Sequence, residues 1–143
     1  MTITNMAASA VADKLPKVIN PKTHAFIDYA MAGTFFVLGA MFWKRNKRAA
    51  IAATLCGAAT AATSLLTDYP GGVKRVISFH THGRIDAGLA GMTAAAPNFL
   101  AFNDDDEARI FRILALAETA VTGLTDFESS TGRVIEMPHY DTA

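Results

Sequence analysis

Apolar residues along this chain fall into four blocks separated by polar connections. Residues 25–43 carry one charge, Asp28, and residues 49–66 carry none. Residues 83–102 carry Arg84 and Asp86 only near their start, and residues 110–124 carry Arg112 and Glu118. A helix that spans a bilayer needs about 20 mostly apolar residues. The first two blocks meet that length, the third meets it with its polar residues at one end, and the fourth is the weakest. The connections are Lys44-Arg45-Asn46-Lys47-Arg48, the stretch 68–82, and Asn103-Asp104-Asp105-Asp106-Glu107. No stretch alternates apolar and polar residues over strand length. The pattern predicts an all-α fold, a four-helix up-down transmembrane bundle.

A second regularity lies beneath the first. Shifted by 58 positions, Lys17-Val18-Ile19 falls on Arg75-Val76-Ile77, Thr23-His24 on Thr81-His82, and Ile27-Asp28 on Ile85-Asp86. Ala32-Gly33 falls on Ala90-Gly91, and Leu66-Thr67-Asp68-Tyr69 on Leu124-Thr125-Asp126-Phe127. One offset serves every match without a gap, which reads as two tandem helical-hairpin repeats. The expected organisation is a tail over 1–16, hairpins over 17–74 and 75–132, and a tail over 133–143, in one domain. Two equivalent hairpins entering a membrane from the same side are related by a pseudo-twofold axis along its normal. Thr23 and Thr81 are the expected N-caps. Ala53-x-x-x-Gly57, Gly57-x-x-x-Ala61 and Ala87-x-x-x-Gly91 have the small-residue spacing of closely packed helices.

The run His24-Ala25-Phe26-Ile27-Asp28-Tyr29-x-x-x-Gly33 resembles the start of the SPW-repeat membrane proteins. So does Leu65-Leu66-Thr67-Asp68-Tyr69 with Gly72-Val73-Lys74-Arg75-Val76-Ile77 and His82-x-x-x-Asp86. The resemblance covers roughly residues 17–127. It implies a small bacterial protein of four spanning helices, and no established activity. The Ser-Pro-Trp tripeptide that names the family is missing. Gly39-Ala40-Met41-Phe42-Trp43 and Ala96-Pro97-Asn98-Phe99 stand in its place.

In an up-down bundle the repeated polar residues converge. His24 and Asp28 start the first helix, and Asp68 ends the second. His82 and Asp86 start the third, and Asp126 ends the fourth. His and Asp at i and i+4 share one side of a helix. Two imidazoles with two to four carboxylates form a ligand set for zinc, iron or manganese, and a haem is a further candidate. The same six residues read first as a hydrogen-bonded clasp closing the bundle, ahead of a metal or cofactor site, since an anion at a helix C-terminus seeks donors and no signature such as His-Glu-x-x-His is present. His24, His82, Arg75 and Arg133 are the candidate donors.

Glu118 has no acidic counterpart, because position 60 is Thr. A carboxylate at mid-membrane is costly and marks a functional candidate. Its alternative is a structural hydrogen bond to Thr54, Thr60, Thr63 or Ser64. Arg112 is expected to snorkel. His80 and His139 read as loop residues or extra ligands. Phe35, Phe36, Phe42 and Trp43 read as packing and interfacial anchors rather than a cofactor box.

Composition narrows the classes. Thirteen basic and 13 acidic residues give no net charge, so no nucleic-acid partner is expected. The single Cys56 forms no internal disulfide. Met1 to Val18 lacks a basic segment and a long apolar core, so no secretory signal is expected. Basic residues flank both ends of the helices and barely bias orientation, leaving both termini assigned to the cytoplasm. No Gly-x-Ser-x-Gly or phosphate loop supports an enzyme of the hydrolase or kinase type.

Three functions stand. The first is a non-catalytic subunit of a bacterial inner membrane that packs against partner membrane proteins or its own copies. The second is a metal- or haem-binding, redox-capable membrane protein. The third, kept open by a mean hydropathy of only +0.23, is a soluble metal-binding bundle. Such soluble bundles use Glu-x-x-His pairs, which neither Glu107 nor Glu118 supplies.

Overall fold

The computed structural model describes residues 14–129. Arg133, His139 and most of the two expected tails lie outside the described residues. Four helices follow one another: α1 (Pro21–Phe42), α2 (Lys47–Leu66), α3 (Phe79–Phe99) and α4 (Asp106–Leu124). The fold is all-α, as the hydrophobic blocks predict.

The helix starts differ in detail from the expectation. Asn20 and Ser78, not Thr23 and Thr81, are the N-caps. Each cap is extended and turns its side chain back to accept the N–H of Thr23 at 2.9 Å or Thr81 at 3.1 Å. The two threonines therefore occupy the third helical position, where an unpaired N–H needs an acceptor. Pro21 adds a pre-set φ at the first position of α1.

Contacts at both ends fix an up-down arrangement. At one end the start of α1 meets the end of α4, and the start of α3 meets the end of α2. Ile19 forms a parallel bridge with Thr125, and Ile77 forms one with Thr67. The Asp126 N–H donates to the Ile19 carbonyl at 3.0 Å, and the Asp68 N–H donates to the Ile77 carbonyl at 2.8 Å. The bridges are isolated and no strand is present among the described residues.

At the other end Arg45 donates to Glu107 at 2.6 Å, and Asn46 donates to Asp105 at 2.7 Å and Glu107 at 3.2 Å. Arg48 adds a bond to the Ala101 carbonyl at 2.9 Å. Burial pushes the Glu107 carboxyl up, but its own backbone N–H, Asn46 and Arg45 outweigh it and hold the carboxyl below the ordinary glutamate value.

Between these ends, small residues set the helix spacing. Gly57 packs against Phe35 and the Ala32 carbonyl, and Ala49, Ala50 and Ala53 are fully buried. The spacing from Ala53 to Gly57 thus serves the α1–α2 contact. Ala87 and Gly91 instead face outward, and nothing lies within 4 Å of a Cβ placed at Gly91. That pair does not mediate packing inside the bundle.

Phe35, Phe42, Phe102 and Phe111 fill the core, with the Phe102 and Phe111 rings 5.2 Å apart edge to face. Phe36 and Trp43 are exposed, so the four expected anchors divide into two core rings and two outer ones. Further apolar side chains point outward: Phe26, Val37, Met41, Leu55, Phe99 and Leu116 are each more than half exposed. Two helices, α1 and α2, are long and apolar enough to cross a membrane.

Candidate metal centre

Helical periodicity delivers the first pairs. His24 and Asp28 lie one turn apart on α1, and His82 and Asp86 one turn apart on α3. His24, Asp28 and His82 are buried, and Asp86 nearly so. The four residues offer ligand atoms that all lie within 4.8 Å of one another. The two Nε2 atoms are 3.2 Å apart. His24 Nε2 lies 3.0 Å from Asp86 Oδ2 and 3.3 Å from Asp28 Oδ1. His82 Nε2 lies 3.1 Å from both Asp28 Oδ2 and Asp86 Oδ2.

What orients the rings is a pair of threonines. Thr125 Oγ1 lies 2.8 Å from His24 Nδ1, and Thr67 Oγ1 lies 2.7 Å from His82 Nδ1. A hydroxyl has a single hydrogen. Thr67 donates its own to the Thr63 carbonyl at 2.7 Å, and Thr125 donates to the Val121 carbonyl at 2.7 Å. With the hydroxyl hydrogens so placed, each threonine oxygen is an acceptor for an Nδ1–H. In a neutral ring this leaves Nε2 as a bare lone pair.

Two Nε2 lone pairs and the carboxylate oxygens then converge as acceptors, and only positive charge can hold them together. Two protons, one on each ring, would make a clasp. One divalent cation would do the same with both rings neutral. The spacing suits either: contacts of 3.0–3.3 Å are hydrogen-bond lengths, and a tetrahedral ion with ligands at 2.0–2.1 Å has ligand–ligand edges of about 3.3 Å. The donor types, imidazole nitrogen and carboxylate oxygen, suit zinc, iron or manganese. Axial nitrogens on opposite faces of a haem iron stand about 4 Å apart at metal–nitrogen lengths of this size, wider than the 3.2 Å between the two Nε2 atoms.

The surroundings are aromatic and closely fitted. Tyr69 donates to Asp28 Oδ2 at 2.8 Å, and burial together with the Asp28 charge pushes its phenol above the ordinary tyrosine value. The Phe127 ring lies edge-on to His24 at 5.3 Å, and Tyr69 stacks at a tilt on His82 at 5.2 Å. A Cβ at position 83 would come within 2.8 Å of the Phe127 ring, so only glycine fits there. Gly72 is equally constrained, since its Cβ would overlap the Thr67 carbonyl.

Asp68 and Asp126 share this end of the bundle but do not enter the centre. Asp68 pairs with Arg75 at 3.5 Å, one of the expected donors. Asp126 accepts the N–H groups of Glu128 and Ser129 at 3.2 Å. The reason lies in the backbone. Thr67 and Thr125 are extended, at ψ 142° and 136°, and successive side chains on an extended segment point to opposite sides. Thr67 and Tyr69 turn inward, which sends Asp68 out. The threonines in Leu-Thr-Asp were in the repeated motif and carried the signal that the aspartates seemed to carry.

Glu118 on α4 faces a cavity of about 30 Å³ whose polar lining is Asp28, Thr60, Asp86, Thr122 and Glu118. Its Oε2 is buried without a hydrogen-bond partner among the described residues. Of the four expected partners, Thr54, Thr63 and Ser64 donate to carbonyls of their own helix, and Thr60 lines the same cavity as Glu118. Thr93 of α3, which sequence reasoning missed, stands beside the Glu118 carboxyl. His80 is exposed and pairs with Glu128 at 3.4 Å, away from the centre. Arg112 reaches back to the Asn103 side chain at 2.6 Å.

No family model, curated protein or solved structure matches this chain.

Proposed function

We propose that this protein is a membrane-embedded four-helix bundle that holds one divalent transition-metal ion on His24, Asp28, His82 and Asp86. The observation that carries the reading is the pairing of each ring's Nδ1 with a threonine hydroxyl, Thr125 for His24 and Thr67 for His82. With the proton on each Nδ1, two Nε2 lone pairs are aimed at one point shared with two carboxylates. Outer groups that fix a histidine tautomer are the usual support of a metal ligand.

The membrane part of the proposal rests on two apolar helices of spanning length and on the outward apolar side chains of all four. Buried residues are by contrast mostly Ala, Thr and Ser with a few large rings. That distribution suits a bundle whose exterior is lipid. The motifs shared with the SPW-repeat proteins favour the inner membrane of a bacterium.

The two-hairpin repeat is part of the same proposal. It is supported by contacts that recur at one offset. Ile19–Thr125 and Ile77–Thr67 are one such pair of pairs, and His24–Thr125 and His82–Thr67 are another. Each hairpin would thus supply half of the ligands and the threonine that orients the other half's histidine.

Titration of the detergent-purified chain with Co²⁺ tests the proposal. One ion per chain with ligand-field absorption, abolished by His82→Ala, is expected. A folded protein that takes up no Co²⁺ and shows no bound metal would make the cluster a protonated clasp.

A further inference from the structure

The cavity beside the centre carries a second message. It is lined by the same two carboxylates, Asp28 and Asp86, that offer ligand atoms on their other side. All four helices contribute to it, with Met31 and Leu89 among its apolar lining on α1 and α3. At about 30 Å³ it has room for one or two water molecules, which need roughly 10–15 Å³ each. Into it faces Glu118, one of whose oxygens is buried with no hydrogen-bond donor among the described residues. A buried carboxylate oxygen requires a donor. Thr60 and Thr122 supply further polar atoms in the same wall, so a small molecule there meets several acceptors at once.

The geometry points to an open coordination position on the metal, filled from this cavity by a water molecule that donates a hydrogen bond to Glu118. The inference rests on the metal reading above and extends it. The centre is then of the open kind that keeps one position for a solvent or substrate atom, not the closed kind that only braces a fold. Its ligand is a neutral hydrogen-bond donor of the size of water. Three carboxylates around the cavity reject small anions, and its volume of about 30 Å³ sets the size limit. Glu118 acts as a positioning residue that touches the water and not the ion. A metal-bound water is a stronger donor than a free one, which gives the buried Oε2 the partner it lacks.

Co²⁺ serves as the probe, because its visible bands strengthen as coordination falls from five to four. The wild-type chain is expected to bind one Co²⁺ with bands of five-coordinate strength. Glu118→Leu, which fills the cavity, should bind Co²⁺ within about threefold of wild type while its bands rise severalfold. Glu118→Gln should keep both affinity and spectrum. Leu89→Phe fills the same space from α3 and should reproduce the stronger bands where Glu118→Leu does not fold. Wild-type bands already of four-coordinate strength would overturn the inference. So would unchanged bands in both cavity-filling variants. So would a tenfold or greater loss of Co²⁺ affinity in folded Glu118→Gln, which would make Glu118 a direct ligand. Absence of Co²⁺ binding by the wild type fails the metal reading instead, and is told apart from the other outcomes by the lack of any bands.

Discussion

Thr67 Oγ1 lies 2.7 Å from His82 Nδ1 and 2.7 Å from the Thr63 carbonyl. With its hydrogen on that carbonyl, the hydroxyl offers the buried ring an acceptor for Nδ1–H and leaves Nε2 to face the centre. Replacing Thr67 with Val keeps the shape and removes the acceptor. The expected result is a 10–100-fold loss of Co²⁺ affinity, the usual effect of losing such an outer group, with helical content retained. Thr67→Ser should restore binding. Equal affinity in Thr67→Val and wild type, by competition titration, would show that ring orientation is set by packing alone.

Metal binding should also stabilise the fold. A ligand present at 100 times its Kd adds about 2.7 kcal/mol when it binds only the folded state. Thermal unfolding of the detergent-solubilised chain should therefore shift upward with added Co²⁺ or Zn²⁺. The shift should vanish in His82→Ala, which lacks a ligand nitrogen. An identical shift in both proteins would place the ion elsewhere.

Gly83 gives a purely steric test. An added Cβ would meet the Phe127 ring at 2.8 Å, so Gly83→Ala must displace the ring that packs on His24. Overpacking of this kind costs about 1–3 kcal/mol. Gly88 on the same helix has nothing within 4 Å of an added Cβ, and Gly88→Ala should be neutral or gain up to about 1 kcal/mol from helix propensity. Unfolding midpoints of the two variants should move in opposite directions or differ by the Gly83 loss.

At the far end, Glu107 lies ahead of the apolar block of α4 and closes the bundle through Arg45 and Asn46. Its carboxyl sits below its ordinary value in the folded protein. The stability it adds is therefore complete above the unfolded glutamate value, about 4.3, and is lost as pH falls through the lower folded value. Glu107→Gln should remove that acid limb from a plot of stability against pH and cost roughly 1–3 kcal/mol at neutral pH. Arg45 is largely exposed, with 69% of its side chain accessible, so Arg45→Ala should cost less, about 0–1 kcal/mol. The reverse order of costs would contradict this account.

Membrane residence has its own check. The outward Phe26, Phe36, Val37 and Met41 on α1 should keep the chain in the membrane fraction through alkaline carbonate washing and release it only with detergent. A monodisperse chain without detergent would return the soluble bundle to first place.

Much of this protein was legible in its sequence. Apolar blocks of helical length and charged connections gave four helices within a few residues. The i, i+4 spacing placed His24 with Asp28 and His82 with Asp86, because helical period is a local property. Chain direction then brought both pairs to one end. Three things were decided only by the tertiary structure. Thr67 and Thr125 entered the centre and Asp68 and Asp126 left it, because two extended residues after α2 and α4 set which side chain turns inward. Asn20 and Ser78 took the caps from Thr23 and Thr81, because the extended backbone that a cap needs falls there. Glu118 found itself on a cavity shared by all four helices, with Thr60 the one expected α2 hydroxyl in its wall. The caps are local bonds three residues long, but the other two depend on the alignment of segments far apart in the chain, such as Ile19 against Thr125. Such alignment is an energy of packing between elements, and no local pattern in the sequence records it.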